Sequence, residues 1–255
     1  MSEHAYEFEG KAAIVTGGAS GIGRAAANRL ASDGASVVIA DVDRDGGESA
    51  VEQIESSGGE ATFVKTDVSS EPAVENLIET TRGTYGSLDM AFNNAGIEGD
   101  NEPTVDQTVD NWDRVVDVNM KGVWLCLKHE IRALLEGDGG AIVNTSSISG
   151  QTGAGAAPYV ATKHGILGLT RTAAVETAQD DIRVNAVCPG TIDTPLSQRF
   201  QEKTPEAFEQ FVEMHPMGRL GEPEEIADAV AWLLSEEASF ATGDMFQIDG
   251  GYMAL

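Results

Sequence analysis

Short apolar, β-prone runs alternate along this chain with longer stretches of helical periodicity, and that alternation restricts the fold more than any other feature. The runs fall at 12–16, 36–40, 61–65, 88–92, 141–145, 183–187 and 246–248. They are apolar throughout instead of alternating with polar residues, the pattern of strands buried on both faces of a parallel sheet. Helical stretches at 21–33, 45–57, 71–85, 111–135, 158–178 and 224–234 lie between them. Pro72 and Pro223 stand where a first helical turn tolerates proline. There is no internal repeat, and glycine-rich breaks such as 137–140 are short enough to be turns. The expectation is one α/β domain over residues 1–255. Only 191–221 breaks the rhythm, with scattered Pro, Phe, Met and charge, and a segment this long in a compact domain suggests a lid over a site.

Composition then removes whole classes of function. Forty-two acidic against sixteen basic residues leave a net charge of −26, a field that repels phosphate backbones and argues against nucleic-acid binding. The excess, with only six lysines among the bases, points to a solvated surface adapted to high salt, where screening removes self-repulsion. No apolar run approaches the roughly 18 residues of a membrane span. The acidic first ten residues lack the order of a signal peptide, so a cytoplasmic setting is expected. Two cysteines, Cys126 and Cys188, supply neither a disulfide framework nor a zinc site. His4, His129, His164 and His215 are scattered without ligand spacing, so no metal is expected.

Four local features carry chemistry. The first run leads into Thr16-Gly17-Gly18-Ala19-Ser20-Gly21-Ile22-Gly23 and then directly into a helix. Strand, glycine turn and helix N-terminus together suit a dinucleotide pyrophosphate, because glycines admit the backbone closely and the helix end offers free N–H groups. The spacing, G-x-x-x-G-x-G, departs from G-x-G-x-x-G, and glycines alone also serve ordinary turns. Asp41 ends the second run, eighteen residues after Gly23. Its carboxylate suits the adenosine ribose hydroxyls and repels a 2′-phosphate, favouring NAD over the lesser alternative of a turn cap, with Arg44 close by to blunt the preference. Tyr159-Val160-Ala161-Thr162-Lys163 places a phenol and an ammonium four residues apart, on one helix face, where the cation would lower the phenol's pKa. Ser147 stands twelve residues upstream at the end of a strand, the edge at which ligands bind in such sheets.

In this order the motifs resemble the short-chain dehydrogenase/reductase family, over essentially the whole chain. The resemblance implies a single Rossmann-type, doubly wound domain with a seven-stranded parallel sheet. It identifies Asn119, Ser147, Tyr159 and Lys163 as the catalytic four. Ser147 is chosen over Ser146 because it stands three residues before Gly150. In the family's scheme Ser147 binds the substrate oxygen and Tyr159 exchanges its proton. Lys163 binds the nicotinamide ribose and depresses the tyrosine pKa, and Asn119 holds a water linking Lys163 to solvent. The cofactor contacts it implies are Gly17, Ser20, Gly21, Ile22, Gly23 and Asp41, then Asp67 and Val68 at the adenine. Asn94, Ala95 and Gly96 follow, with Pro189, Gly190, Ile192 and Thr194 at the nicotinamide. The reading is an NAD-dependent dehydrogenase of a secondary alcohol or diol, in a homotetramer built through helices 111–135 and 158–178. The alternatives are a 3-oxoacyl-thioester reductase and a non-catalytic dinucleotide-binding sensor. Substrate walls are expected from 151–155, from around Glu98, and from Leu196, Phe200 and Met214.

Overall fold

The structure is a computed structural model that describes residues 6–203 and 205–255, with the side chains of 196, 199, 200, 203, 207, 210 and 211 outside the description. Seven strands form one parallel sheet in the order β3-β2-β1-β4-β5-β6-β7. They are β1 (Ala12–Thr16), β2 (Ser36–Asp41), β3 (Glu60–Lys65), β4 (Met90–Asn93), β5 (Gly140–Thr145), β6 (Ile182–Pro189) and β7 (Met245–Ile248). The order reverses between β1 and β4, and a sheet of this kind opens a crevice at that point, beyond the carboxyl ends of its strands.

Successive strand residues point to opposite faces, and here both sets are apolar. On one face Ala13, Val15, Val37, Ile39 and Phe92 pack with Leu30, Ile54, Ile226 and Val230. These come from α1 (Gly21–Ser32), α2 (Arg44–Ser56) and α9 (Pro223–Leu234). On the other, Ile14, Val38, Ala91 and Ile142 pack with Leu77, Leu127 and Ile166, from α3 (Glu71–Tyr85), α5 (Gly122–Leu135) and α6 (Ala157–Thr177). Each large side chain so buried contributes about 2 kcal/mol. Burial on both faces does not extend to the sheet margins. Edge strand β3 exposes Glu60 and Lys65, and β7 is only partly covered.

Two departures from the sequence pattern bear on function. The stretch expected as one helix over 111–135 starts at Val109 as α4 (Val109–Val115) and passes through a π turn, Val116–Lys121, before α5. Segment 191–221 is not irregular throughout, since α7 (Pro195–Lys203) and α8 (Pro205–Glu213) occupy it, each opening on a proline. A parallel bridge between Ile192 and Gly221 closes its base.

Candidate active site

The glycine turn leaves β1 at Thr16 and is stitched to the end of β4. Thr16 Oγ1 accepts the N–H groups of Asn94 (3.0 Å) and Ala95 (3.2 Å), while Asn94 Nδ2 donates to the carbonyls of Thr16 and Gly17. Gly17 has φ +66°, and a Cβ there would come within 2.9 Å of Ala95 Cα; a Cβ on Gly23 would collide with the Gly17 carbonyl. Gly21, at φ +52°, faces Thr194. Ser20 precedes α1 without a side-chain cap on the helix, so the first amides of α1 face the turn without a Ser20 bond. A concave turn of this kind, which side chains would fill, fits the pyrophosphate of a dinucleotide.

Asp41 does two jobs. Its Oδ2 accepts the Ala19 N–H at 3.0 Å and its Oδ1 the Asp43 N–H at 3.0 Å, so it anchors the glycine turn. A carboxylate has about four acceptor sites, which leaves capacity for ribose hydroxyls. Asp67 accepts from both the amide (3.0 Å) and the hydroxyl (2.7 Å) of Ser69, and Val68 is buried with Val74, Leu125 and Cys126.

At the carboxyl ends of β5 and β6 the four expected catalytic residues come together. Ser147 Oγ accepts the Ser149 N–H at 3.1 Å, and its hydroxyl is near enough to Tyr159 to favour the ionised phenol. Lys163 is buried and donates from Nζ to the Thr145 carbonyl at 2.8 Å, 5.5 Å from the Tyr159 ring centre. Gly96 sits above it, where a Cβ would lie 3.7 Å from Nζ. Ser146 instead donates to the Lys163 carbonyl at 2.8 Å and is tied into the packing of α6.

Asn119 lies in the π turn, and its amide is spent on protein. Oδ1 accepts from Ile97 N and Nδ2 donates to Ile97 O, both at 2.8 Å, with a further bond to Thr162 Oγ1 at 3.3 Å. Thr162 donates in turn to the Tyr159 carbonyl. The side chain therefore positions the β4 exit against α6.

The electrostatics also differ from the simple expectation. Burial pushes the Tyr159 phenol up to about 12, the Glu98 carboxylate adds to the rise, and the Ser147 hydroxyl opposes it. The Lys163 ammonium is itself brought down to about 8 by burial. Cys188 is buried beside this cluster and its thiol is pushed up, chiefly by desolvation, which makes it unreactive.

Pro189 ends β6, and Gly190 donates its N–H to Ile248 O at 3.0 Å. Ile192 is buried at the base of the 191–221 segment. A cavity of about 490 Å³ is lined by Thr152, Glu213, Met214, Pro216, Tyr252, Met253 and Leu255. Met214 and Thr152 match the expected walls; the side chains of Leu196 and Phe200 lie outside the described residues, as does His4. The C-terminal residues were missed because nothing after the last strand has a periodicity to read. His164 donates from Nδ1 to the Val160 carbonyl at 2.9 Å on the surface. His129 meets Glu71 and Glu75 across α3 and α5, ligand atoms within 4.8 Å, with Lys128 already paired to Glu71 at 2.5 Å. Two helices supply that group, so linear spacing could not reveal it.

The family model described as enoyl-(acyl carrier protein) reductase matches residues 17–253. Cyclohexanol dehydrogenase of Acinetobacter sp. (strain SE19) is 43% identical over 247 residues, 96% of each chain. The crystal structure of levodione reductase superposes with a TM-score of 0.94 at 40% identity, covering 97% of this chain and 99% of that one. A substituted actinorhodin polyketide ketoreductase with NADPH gives 0.91 at 34% identity, covering 98% and 99%. With matches spanning nearly its whole length, this chain belongs to the short-chain dehydrogenase/reductase family.

Proposed function

We propose that this protein is an NAD-linked oxidoreductase interconverting a secondary alcohol, above all an alicyclic one, with its ketone. The observation that carries the reading is the buried Lys163 ammonium 5.5 Å from the Tyr159 ring, held at the end of β5 on the Thr145 carbonyl beside Ser147 and Gly96. Similarity to cyclohexanol dehydrogenase supports the alcohol class. The apolar cavity walls at Met214, Pro216, Met253 and Leu255 suit a hydrocarbon ring.

When bound, the nicotinamide supplies the hydride acceptor or donor. Gly17, Ser20, Gly21, Ile22 and Gly23 would hold the pyrophosphate, Asp41 the adenosine ribose, and Asp67 and Val68 the adenine. Asn94, Ala95, Gly96, Pro189, Gly190, Ile192 and Thr194 would line the nicotinamide half, with Lys163 on its ribose. Ser147 orients the substrate oxygen by hydrogen bonding. Tyr159 Oη takes the alcohol proton in oxidation and returns it in reduction. Asn119 holds Ile97 and, through Thr162, the first turns of α6 in register. The segment 191–221 serves as the lid of a single domain.

Asp41 supports NAD, whereas one structural relative was solved with NADPH. NAD is expected to outperform NADP by about a hundredfold. Asp41→Asn, which keeps an acceptor for the Ala19 amide but removes the charge, should narrow the ratio to within about tenfold. Equal use of both by the unsubstituted enzyme would overturn the preference. A nicotinamide absorbance assay over cyclohexanol, open-chain alcohols, their ketones and a 3-oxoacyl thioester tests the function itself. Turnover confined to the thioester would instead make it a 3-oxoacyl reductase, and cofactor binding without turnover a sensor.

We further infer a homotetramer through α4–α5 and α6, supported by the exposed apolar surface of Trp112, Trp124 and Val175. Light scattering on the eluted protein tests it. The two free, buried cysteines accord with a cytoplasmic setting, and no described helix is long and apolar enough to cross a membrane.

A further inference from the structure

His215 is a buried ring that the reaction above does not use. It follows α8, at the end of the 191–221 segment, and is 3% exposed. Three parts of the chain meet on it. From the exit of β6, the Thr191 N–H donates to His215 Nε2 at 3.2 Å, and a Cβ on Gly190 would lie 2.9 Å from the same nitrogen. From the turn after β7, the Tyr252 ring packs at 5.2 Å, and Gly250 accepts the Met217 N–H. From its own segment, the His215 carbonyl accepts the Gly218 N–H at 2.8 Å. Asp249 reinforces that turn by accepting the amides of Gly251 and Met253, both at 2.9 Å. Because Nε2 accepts, a neutral ring must carry its proton on Nδ1.

We propose that His215 is a positioning residue for the cofactor site: by accepting the Thr191 N–H it sets the path of residues 189–194 and ties them to the C-terminal turn. Thr191 opens the stretch whose Thr194 faces Gly21 across the glycine turn, so a shift at the Thr191 amide moves the wall opposite the cradle. A buried amide stripped of its acceptor has a strong drive to find another, and the backbone moves to do so. The inference rests on the dehydrogenase reading only in taking 189–194 as a cofactor wall.

Three variants separate positioning from space-filling. His215→Gln retains an acceptor near the Nε2 position. His215→Met fills similar volume without one, and His215→Asn is polar but too short to reach Thr191, so it serves if the Met variant does not fold. The first measurement is amide exchange of the peptide containing Thr191, in the cofactor-free protein. Exchange should quicken about tenfold in the Met and Asn variants and stay within about threefold of the unsubstituted protein in the Gln variant. The second is Kd for NADH, with NADPH in parallel, expected to rise about tenfold in Met and Asn, with the alcohol KM little changed. Unaltered exchange and Kd in the Met and Asn variants would overturn the proposal, as would equal loss in Gln and Met. If the unsubstituted protein binds neither NADH nor NADPH, the dehydrogenase reading fails and the cofactor part of this proposal with it. The exchange result then decides separately whether His215 holds the Thr191 amide.

Discussion

In the reaction proposed above, Tyr159 meets two opposed demands. Its phenol must carry a proton to give to a ketone and must lose it to accept one from an alcohol, and its buried site, with the phenol held up to about 12, favours the protonated form. Reduction therefore finds Tyr159 loaded throughout the neutral range, whereas oxidation gains as alkali populates the phenolate. Lys163, brought down to about 8, loses its charge well before the phenol ionises. kcat/KM for alcohol oxidation is expected to rise with pH from neutrality upward, with no matching rise for reduction. A pH–rate profile in each direction checks this, and oxidation that declines with pH above neutrality would contradict it. Tyr159→Phe keeps the ring and removes the acid, so turnover should fall at least about a hundredfold with NADH binding nearly intact. Ser147→Ala should cost almost as much and Ser146→Ala much less in kcat, since the Ser146 hydroxyl is committed to the Lys163 carbonyl. The reverse order would exchange their roles. Linear spacing and the family pattern singled these residues out as candidates, but could not give their protonation. Spacing puts Lys163 beside Tyr159, while only the fold shows the ammonium turned to the Thr145 carbonyl and both groups desolvated.

Elements here are tied by polar groups as well as by apolar packing. Glu130 on α5 is fully buried and accepts from Asn93 of β4 at 2.8 Å; Asn93 also donates to Asn144 of β5, which donates to Thr170 of α6. Burial raises the Glu130 carboxyl from 4.5 to about 7, and its Oε1 has no hydrogen-bond partner. A folded-state pKa above the unfolded value gives stability that is fully present below about pH 4.5 and is lost as pH rises through about 7. Mildly alkaline solution thus removes a contribution of about 3 kcal/mol at most. Glu130→Gln should flatten this dependence: the Tm of the unsubstituted protein is expected to fall more between pH 5.5 and 8.5 than that of the variant. Parallel curves would show that Glu130 is not the titrating group. The layered α/β plan was readable because strand and helix periodicities are strong over whole elements. Asn93 was readable only as part of a cofactor motif, since its partner Glu130 lies on a different element. The π turn was equally hidden, because one residue inserted into a helix hardly alters a pattern of period 3.6. Its effect is large all the same, for it is the π turn that carries the Asn119 side chain that holds Ile97.

On the scale of the whole molecule, charge outweighs pairing. Acids crowd exposed faces such as that of α2, with Asp45, Glu48, Glu52 and Glu55, and Arg44 pairs with Glu48. Sixteen bases cannot offset forty-two acids, so most of the surface repels itself, more so if four subunits assemble. Exposed ion pairs are worth little each, and salt that weakens them screens a larger repulsion at the same time. The Debye length falls from about 10 Å at 0.1 M to about 3 Å at 1 M, shorter than the spacing of many surface carboxylates. Folding brings those charges closer than the unfolded chain does, so screening favours the native state. We therefore expect Tm and the oligomeric fraction both to increase as KCl goes from 0.1 M to above 1 M, with activity retained at the upper end. Scanning calorimetry and light scattering across that series check it. Sodium sulfate strengthens apolar burial as well as screening, so the series should be run in KCl and repeated with a variant in which several α2 carboxylates become amides. If screening is the cause, that variant melts higher at low salt and gains less from KCl. Melting that is flat with salt, or equal salt gains in both proteins, would refute adaptation to concentrated salt and leave the dehydrogenase assignment standing on its own residues.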